Sequence, residues 1–417
     1  MVDTLRINSN RLWKRIGELA QIGAIPGSFG CSRLALTDED KEGRDLVITW
    51  MKDLGMAIAI DGIGNVVGTW SGAETNQMLP PVMTGSHIDT VRTGGRFDGN
   101  LGVLAGLEAV ETLAENGISP VHPIAVGFFT GEEGARFAPD MLGSLVYVGG
   151  MGLEAALDIV GIDGARLGSE LDRIGYNGSA PCPGLTPKAF FELHIEQGPI
   201  LEAEDISIGA VDSVQGISWT EITVEGQSNH AGTTPMHMRR DAGFVAGDIT
   251  GFVRRTALEM AGNHVGTVGK IDLYPNLVNV VASKAVMTVD FRNTDEEILK
   301  ETERLLEEFC DELSERENVS ITSKVLARFE PVKFDEELIN QVIDVSKSLG
   351  LSVKRMTSGA GHDAQMLARV CPTAMVFVPS SKGLSHNPDE YTTQEEIERG
   401  ANVLLHLLLN VAEVHDG

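Results

Sequence analysis

Apolar positions in the first half of the chain alternate between helical and strand spacing. Residues 9 to 22 and 41 to 54 carry them at helical intervals, and Gly55 ends the second run. Residues 56 to 70 alternate as strands do, with a turn at Asp61-Gly62. Pro81 to His87 reads as an apolar strand arriving at a loop, residues 101 to 115 as a helix, and His122 to Phe129 and Lys188 to Ile195 as further strands. Such alternation predicts an α/β layer structure with a mostly parallel sheet.

The middle changes character. Residues 206 to 226 are rich in strand formers, and a long helix follows over 239 to 261. Strands at 265 to 273 and 284 to 292, a helix at 295 to 316 and a strand at 319 to 328 complete a compact α+β insert. Around Phe329-Glu330-Pro331 the α/β pattern resumes, with a helix at 362 to 369 and a strand from Thr373 to Val378. The period of LLHLLLNVAEV marks the buried face of a last helix. The expected organisation is a catalytic domain in two parts, 1–212 and 330–417, split by an inserted domain at 213–329.

Composition narrows the partners. The chain has 417 residues, 42% of them hydrophobic, enough for a large core and two or three domains. Its 60 acidic residues against 33 basic ones give a formal charge of -27, which argues against nucleic acid and against an anionic membrane surface. Cys31, Cys182, Cys310 and Cys371 are far apart, so a thiolate zinc site and a disulfide framework are not expected, and a reducing compartment fits. With no apolar leader and no membrane-spanning run, a soluble cytoplasmic protein is the expectation.

The chemistry gathers in five segments. They are Gly85-Ser86-His87-Ile88-Asp89-Thr90, Gly95-Arg96-Phe97-Asp98-Gly99-Asn100, Phe128-Phe129-Thr130-Gly131-Glu132-Glu133-Gly134, Glu192-Leu193-His194-Ile195-Glu196-Gln197-Gly198 and Lys382-Gly383-Leu384-Ser385-His386-Asn387-Pro388. Sites in open α/β sheets form outside the carboxyl ends of strands, where these segments fall. Singly, each has a plain reading: a turn aspartate, a solvated Glu-Glu, a core histidine. Together, His and carboxylate residues in this order suit two divalent ions, zinc, manganese, cobalt or nickel, with one carboxylate bridging. Two such ions serve to split a carbonyl–nitrogen bond.

The motifs GSHIDTV, GGRFDGNLGVLAGLE, TGEEGARF, ELHIEQGP, SNHAGTTPM, PNLVNVV, SGAGHDA and SHNPDEYT resemble the hydantoinase/carbamoylase group of amidohydrolases. That group belongs to the di-metal peptidase superfamily, with aminoacylases and carboxypeptidase G. The match runs from roughly residue 80 to 395, and HIEQG with SNHAGTTPM separates the group from its peptidase cousins.

The resemblance implies an α/β di-metal peptidase-like catalytic domain interrupted by a smaller α+β dimerisation or lid domain. It implies that His87, Asp98 and His194 hold one metal, that Asp98, Glu133 and His386 hold the other, and that Glu132 is the general base. Asp89 would accept from His87 and fix its tautomer. His230 would stabilise the oxyanion from the partner subunit of a homodimer. Asn279 and Arg292 would hold the substrate carboxylate, Gln197 the amide group, and Gly361 would offer a backbone N–H. His362 and Asp363 read as helix-capping or supporting residues, not ligands.

Three ureido carboxylates fit those residues: N-carbamoyl-L-amino acids, allantoate or ureidoglycolate, and β-ureidopropionate. The stretch Gln215-Gly216-Ile217-Ser218-Trp219 resembles the carbamoylase pattern, with an apolar residue and a Trp where the allantoate enzymes of the family carry a Gln and a basic residue. A second ureido group needs polar partners, and Ile217 offers none. An aminoacylase or dipeptidase is the less favoured alternative. A metal-dead scaffold would have lost a ligand or the base, and none is lost.

Overall fold

The computed structural model describes residues 4–260 and 263–414, so the end of the helix expected to reach 261 lies outside the described residues. The chain forms two compact units, one from the residues up to Asp212 and from Lys333 onward, the other Ser213–Val332.

The strands in chain order are β1 (Ala57–Ile60), β2 (Val66–Trp70), β3 (Val82–His87), β4 (Ile124–Phe129), β5 (Ala189–Ile195), β6 (Ile208–Val214), β7 (Gly216–Glu225), β8 (Val265–Tyr274), β9 (Lys284–Asn293), β10 (Ser320–Phe329), β11 (Val332–Lys333), β12 (Val353–Ser358) and β13 (Thr373–Val378). The large sheet has the order β1-β2-β4-β3-β5-β13-β6-β11, with β12 on β6. Its centre, β4-β3-β5-β13, is parallel, and the flanking pairs β1–β2, β2–β4 and β13–β6 are antiparallel. Every residue of the four central strands is buried, which is why they read as continuous apolar runs rather than as alternation.

Helix Asn100–Glu115 and helix Gln394–Ala412 pack on these strands. Residues 403 to 409 of the last helix are all buried, His406 included. The apolar run there reflects burial all round, not one stripe. Three helices between β4 and β5, Leu142–Tyr147, Leu153–Leu157 and Leu167–Ile174, were not expected from the sequence. They are short, and the first is buried throughout, so helical periodicity had little length in which to show.

The second unit is a four-stranded sheet of order β10-β7-β9-β8 with antiparallel pairings. Helices Ala242–Glu259 and Glu296–Glu317 cover one face, and their core includes Ile222, Val224, Met287, Val289 and Phe291. Residues directly opposite in an antiparallel pair share a face. Ile217 opposes Arg292 and Trp219 opposes Asp290, so these four lie on the helix-free face. No helix among the described residues is long and apolar enough to cross a membrane.

Candidate active site

The first unit brings the ligand candidates together at the carboxyl ends of its central strands. His87 ends β3, and His194 sits one residue from the end of neighbouring β5. His87 Nδ1 is 2.9 Å from the Asp89 carbonyl, and His194 Nδ1 is 2.8 Å from the Ile195 carbonyl. An Nδ1–H donating to a carbonyl leaves the lone pair on Nε2, the form in which imidazole binds a metal, and at His194 that atom accepts from the Gly99 N–H at 3.1 Å. Both Nε2 atoms turn to Asp98 Oδ1, at 3.5 Å from His87 and 3.1 Å from His194.

Asp98 reaches that place through a glycine. Gly99 has φ +66°, and a Cβ there would lie 2.4 Å from the His87 ring. Any side chain would meet both strain and collision.

The second oxygen of Asp98 faces the other way. His386 Nε2 lies 3.7 Å from Asp98 Oδ2 and 3.1 Å from Glu133 Oε2. His87, Asp98 and His194 therefore form one group with ligand atoms within 4.8 Å, and Asp98, Glu133 and His386 form another. The two groups share Asp98. Mixed imidazole and carboxylate donors, with tautomers set by backbone carbonyls, fit divalent metal ions.

Electrostatics follow from burial. Burial alone would raise the Asp98 carboxyl, but hydrogen bonds to His194 and His87 hold it well below the usual range. Burial would lower the His87 imidazole, and Glu132, Asp98 and Asp89 together push it well above its ordinary value. Glu132, 7% exposed, has Oε2 3.3 Å from His87 Nε2. Burial, helped by Asp363, Glu133 and Asp98, pushes its carboxyl well up. His386 is exposed, and its bond to Glu133 raises it to about 9.

Asp89 departs from expectation. It fixes His87 through its backbone carbonyl, while its carboxylate stands 4.0 Å from Nδ1 and accepts from the backbone N–H of Glu132 and Glu133 at 3.3 and 3.4 Å. The carboxylate thus satisfies two backbone N–H groups of the Gly131–Gly134 turn, which presents the two glutamates. His362 precedes helix Asp363–Leu367 but its side chain does not cap it. The ring instead bonds Ser358 Oγ at 2.8 Å and stands edge-on to His194, with centroids 4.6 Å apart. Gln197, at φ +58°, places Nε2 2.8 Å from Asp98 Oδ2. Gly361 lies against Met141 just before helix Asp363–Leu367.

Sequence reasoning passed over two buried acids. Glu192 accepts from Ser86 Oγ at 2.6 Å and from the Ala364 N–H at 2.7 Å. Its signal was the spacing of two from His194 in an otherwise apolar strand, which places both on one face. Glu390, 2% exposed, accepts from the Phe97 and Asp98 N–H groups.

The remaining candidates belong to the second unit. His230 pairs with Val280, and Ala231 N donates to the Asn279 carbonyl at 3.0 Å, so His230 and Asn279 sit in adjoining loops. His230 Nδ1 accepts from Gly232 and Thr233 N–H at 3.0 and 3.3 Å. A neutral ring so held carries its proton on Nε2, which is a donor. Arg292 lies at the far end of β9. Its Nη2 is 3.0 Å from Asp290 Oδ2, and its guanidinium stands 6.0 Å from the Trp219 ring. From Lys284 to Arg292 the strand spans about 27 Å at about 3.4 Å per residue. Asn279 precedes that span, so the structure separates Asn279 from Arg292 rather than joining them as a pair.

Residues 83–410 match the model of peptidase family M20/M25/M40, and the chain belongs to that family, within its hydantoinase/carbamoylase amidases. It is 43% identical to an N-carbamoyl-L-amino-acid amidohydrolase of Rhizobium meliloti, over 98% of each chain. It is 36% identical to an allantoate amidohydrolase of Escherichia coli strain K12, covering 94% of this chain and 96% of that one. A crystal structure of a hydantoinase/carbamoylase family amidase from Burkholderia multivorans superposes with a TM-score of 0.92 at 44% identity, covering 98% of this chain and 99% of the other.

Proposed function

We propose that this chain is a di-metal amidohydrolase that hydrolyses the carbamoyl C–N bond of N-carbamoyl-L-amino acids, yielding L-amino acid, ammonia and carbon dioxide, as a cytoplasmic homodimer. The observation that carries the reading is the Asp98 carboxylate, one oxygen facing His87 and His194 and the other facing His386 beside Glu133. His87, Asp98 and His194 would hold one ion, and Asp98, Glu133 and His386 the other, with zinc, manganese, cobalt or nickel suited to the donors. When bound, the pair of ions supplies a polarised substrate carbonyl and a water acidic enough to attack near neutral pH.

The protein groups do the rest. Glu132 Oε2 takes the proton of the attacking water and returns it to the leaving nitrogen. Burial favours its protonated form, which suits a group that must hold that proton between the two steps. Arg292 grips the substrate carboxylate with its planar fork. Ile217 and Trp219 share its sheet face and offer the side chain an apolar wall. That wall favours carbamoyl amino acids over allantoate, whose second ureido group would lose hydrogen bonds there. The Nε2–H of His230, lent by the partner subunit, would stabilise the oxyanion, and Gln197 and Gly361 are the candidates for the ureido group.

The separation of Asn279 and His230 from Arg292 supports a homodimer in which one copy lends the loop pair to the other. β8 is an edge strand exposing Val265, Ile271, Leu273 and Tyr274, and helix Ala242–Glu259 exposes Phe244 and Leu258. An unpaired apolar edge of this kind invites a second copy.

The test is ammonia release by metal-loaded enzyme from N-carbamoyl-L-methionine, allantoate and N-carbamoyl-β-alanine, with methionine release from N-acetyl-L-methionine as control. Preference for the first supports the reading. Preference for allantoate would keep the site and reject the role given to Ile217 and Trp219. Turnover of the acetylated compound alone would make the enzyme an aminoacylase.

A further inference from the structure

We propose that Glu390 is a positioning residue that aims Asp98 at the Glu133 and His386 side of the site, an inference that rests on the two-ion reading above. Glu390 lies four residues beyond His386, in the loop between β13 and helix Gln394–Ala412, and its carboxylate is buried against the Asp98 loop. Oε1 accepts from the N–H of Phe97 at 3.0 Å and of Asp98 at 3.1 Å. Oε2 lies 3.2 Å from Ser385 Oγ, and that hydroxyl donates to Asp98 Oδ2 at 2.8 Å. One carboxylate thus fixes the backbone of Asp98 directly and stands beside the serine whose single proton reaches Asp98 Oδ2.

The loop is moulded to this carboxylate. A Cβ on Gly95 would lie 2.1 Å from the Glu390 carboxyl carbon, so only glycine lets the chain pass so close. On the other side Gly30 meets Pro388, where a Cβ would stand 2.7 Å from the proline ring. The segment that carries His386 and the segment that carries Asp98 are therefore set in register by Glu390.

The two oxygens of Asp98 differ in what holds them. Oδ1 is placed by His194 and His87 at 3.1 and 3.5 Å, independent of Glu390. Oδ2, which faces His386, takes its direction from Ser385 and from Gln197 Nε2, each at 2.8 Å. Loss of Glu390 frees Ser385 and the Asp98 backbone together. The His87 and His194 side keeps its own anchors, so the damage falls on the other ion. Groups that orient ligands in this way are worth about 10- to 100-fold in metal affinity.

The experiment uses the full chain stripped with chelator and dialysed against cobalt(II), with bound metal counted and the visible spectrum recorded. Wild type should bind two ions. Glu390→Ala should bind one ion near wild-type affinity and the second at least tenfold more weakly, with a spectrum matching His386→Ala rather than His194→Ala. Glu390→Gln should restore the second ion, since its amide oxygen can accept both N–H bonds and its NH2 can donate to Ser385. Should Glu390→Ala fail to fold, Ser385→Ala keeps the buried carboxylate and should show the same selective weakening. Two ions at wild-type affinity in these alanine variants, or equal weakening of both ions, would overturn the assignment. A single ion in wild type would overturn the two-ion reading itself.

Discussion

Replacing Glu132 by Gln separates the proposed base from the candidate ligands more sharply than any other change in this site. The substitution is isosteric, so it opens no cavity around a side chain that is 7% exposed. Glu132 stands outside both candidate ligand groups, so metal content should stay at the wild-type level. A positioned general base contributes about 10²–10⁴-fold in rate, or roughly 2.7–5.4 kcal/mol of barrier. Turnover of N-carbamoyl-L-methionine should fall by that factor.

Stability supplies an independent sign. Burial raises the Glu132 carboxyl well above its ordinary 4.5, so above that pH the fold binds a proton that the unfolded chain has released. Stability then falls as pH rises from about 4.5 through the raised value. Gln carries no such penalty. Metal-free Glu132→Gln should therefore melt at or above wild type at pH 8, with the gap closing toward pH 4. Stopped ammonia assays, metal analysis and thermal melts read the three quantities. Turnover within tenfold of wild type would refute the base assignment, and loss of metal in step with turnover would make Glu132 a ligand instead.

Three further outcomes are expected. Arg292→Lys should raise KM for carbamoyl amino acids at least tenfold with a smaller change in kcat, because an ammonium cannot replace the bidentate fork; an unchanged KM rejects the carboxylate role. His386, raised to about 9 by Glu133, holds a proton that an ion must displace, so affinity at that side should climb about tenfold per pH unit from 7 and level off above 9. A flat profile between pH 7 and 8.5 in buffered zinc titrations rejects this. Mixing His230→Ala with Glu132→Gln subunits should restore about a quarter of wild-type activity, since half the dimers are mixed and each regains one of two sites; no recovery under verified exchange rejects a shared site.

Much of the fold was legible because its parallel centre consists of strands buried on both faces. Those strands appear as unbroken apolar runs, and polar residues cluster where the runs stop. The mixed character of the sheet was not legible. β1, β2 and β6 look like any other strands, and direction depends on crossovers that periodicity does not record. The clustering of the candidate ligands was legible for a related reason. A histidine at the end of an apolar strand has no solvation to explain it, and Asp98 sits in a glycine loop that the His87 ring requires. Asp89 was half legible. Its proximity to His87 was clear, but whether carbonyl or carboxylate does the work depends on a turn 43 residues away. Glu390 was hidden because its task is to accept backbone N–H groups 292 and 293 residues away, which leaves no trace in local spacing.

Asn279 and Arg292 show the opposite failure, where spacing suggests nearness and geometry denies it. Thirteen residues apart, they bracket nearly the whole of β9, since a strand advances about 3.4 Å per residue and does not fold back. Asn279 lies in the hairpin turn, while Arg292 pairs with Val265 and Ile217 at the other end. An amino-acid-sized substrate cannot touch both in one copy. If both residues serve one reaction, two copies must meet, and the exposed apolar edge at β8 is a surface on which they could. The same strand length that separates the residues would thus give a homodimer a chemical reason. A monomer with full activity would remove Asn279 or Arg292 from the substrate contacts.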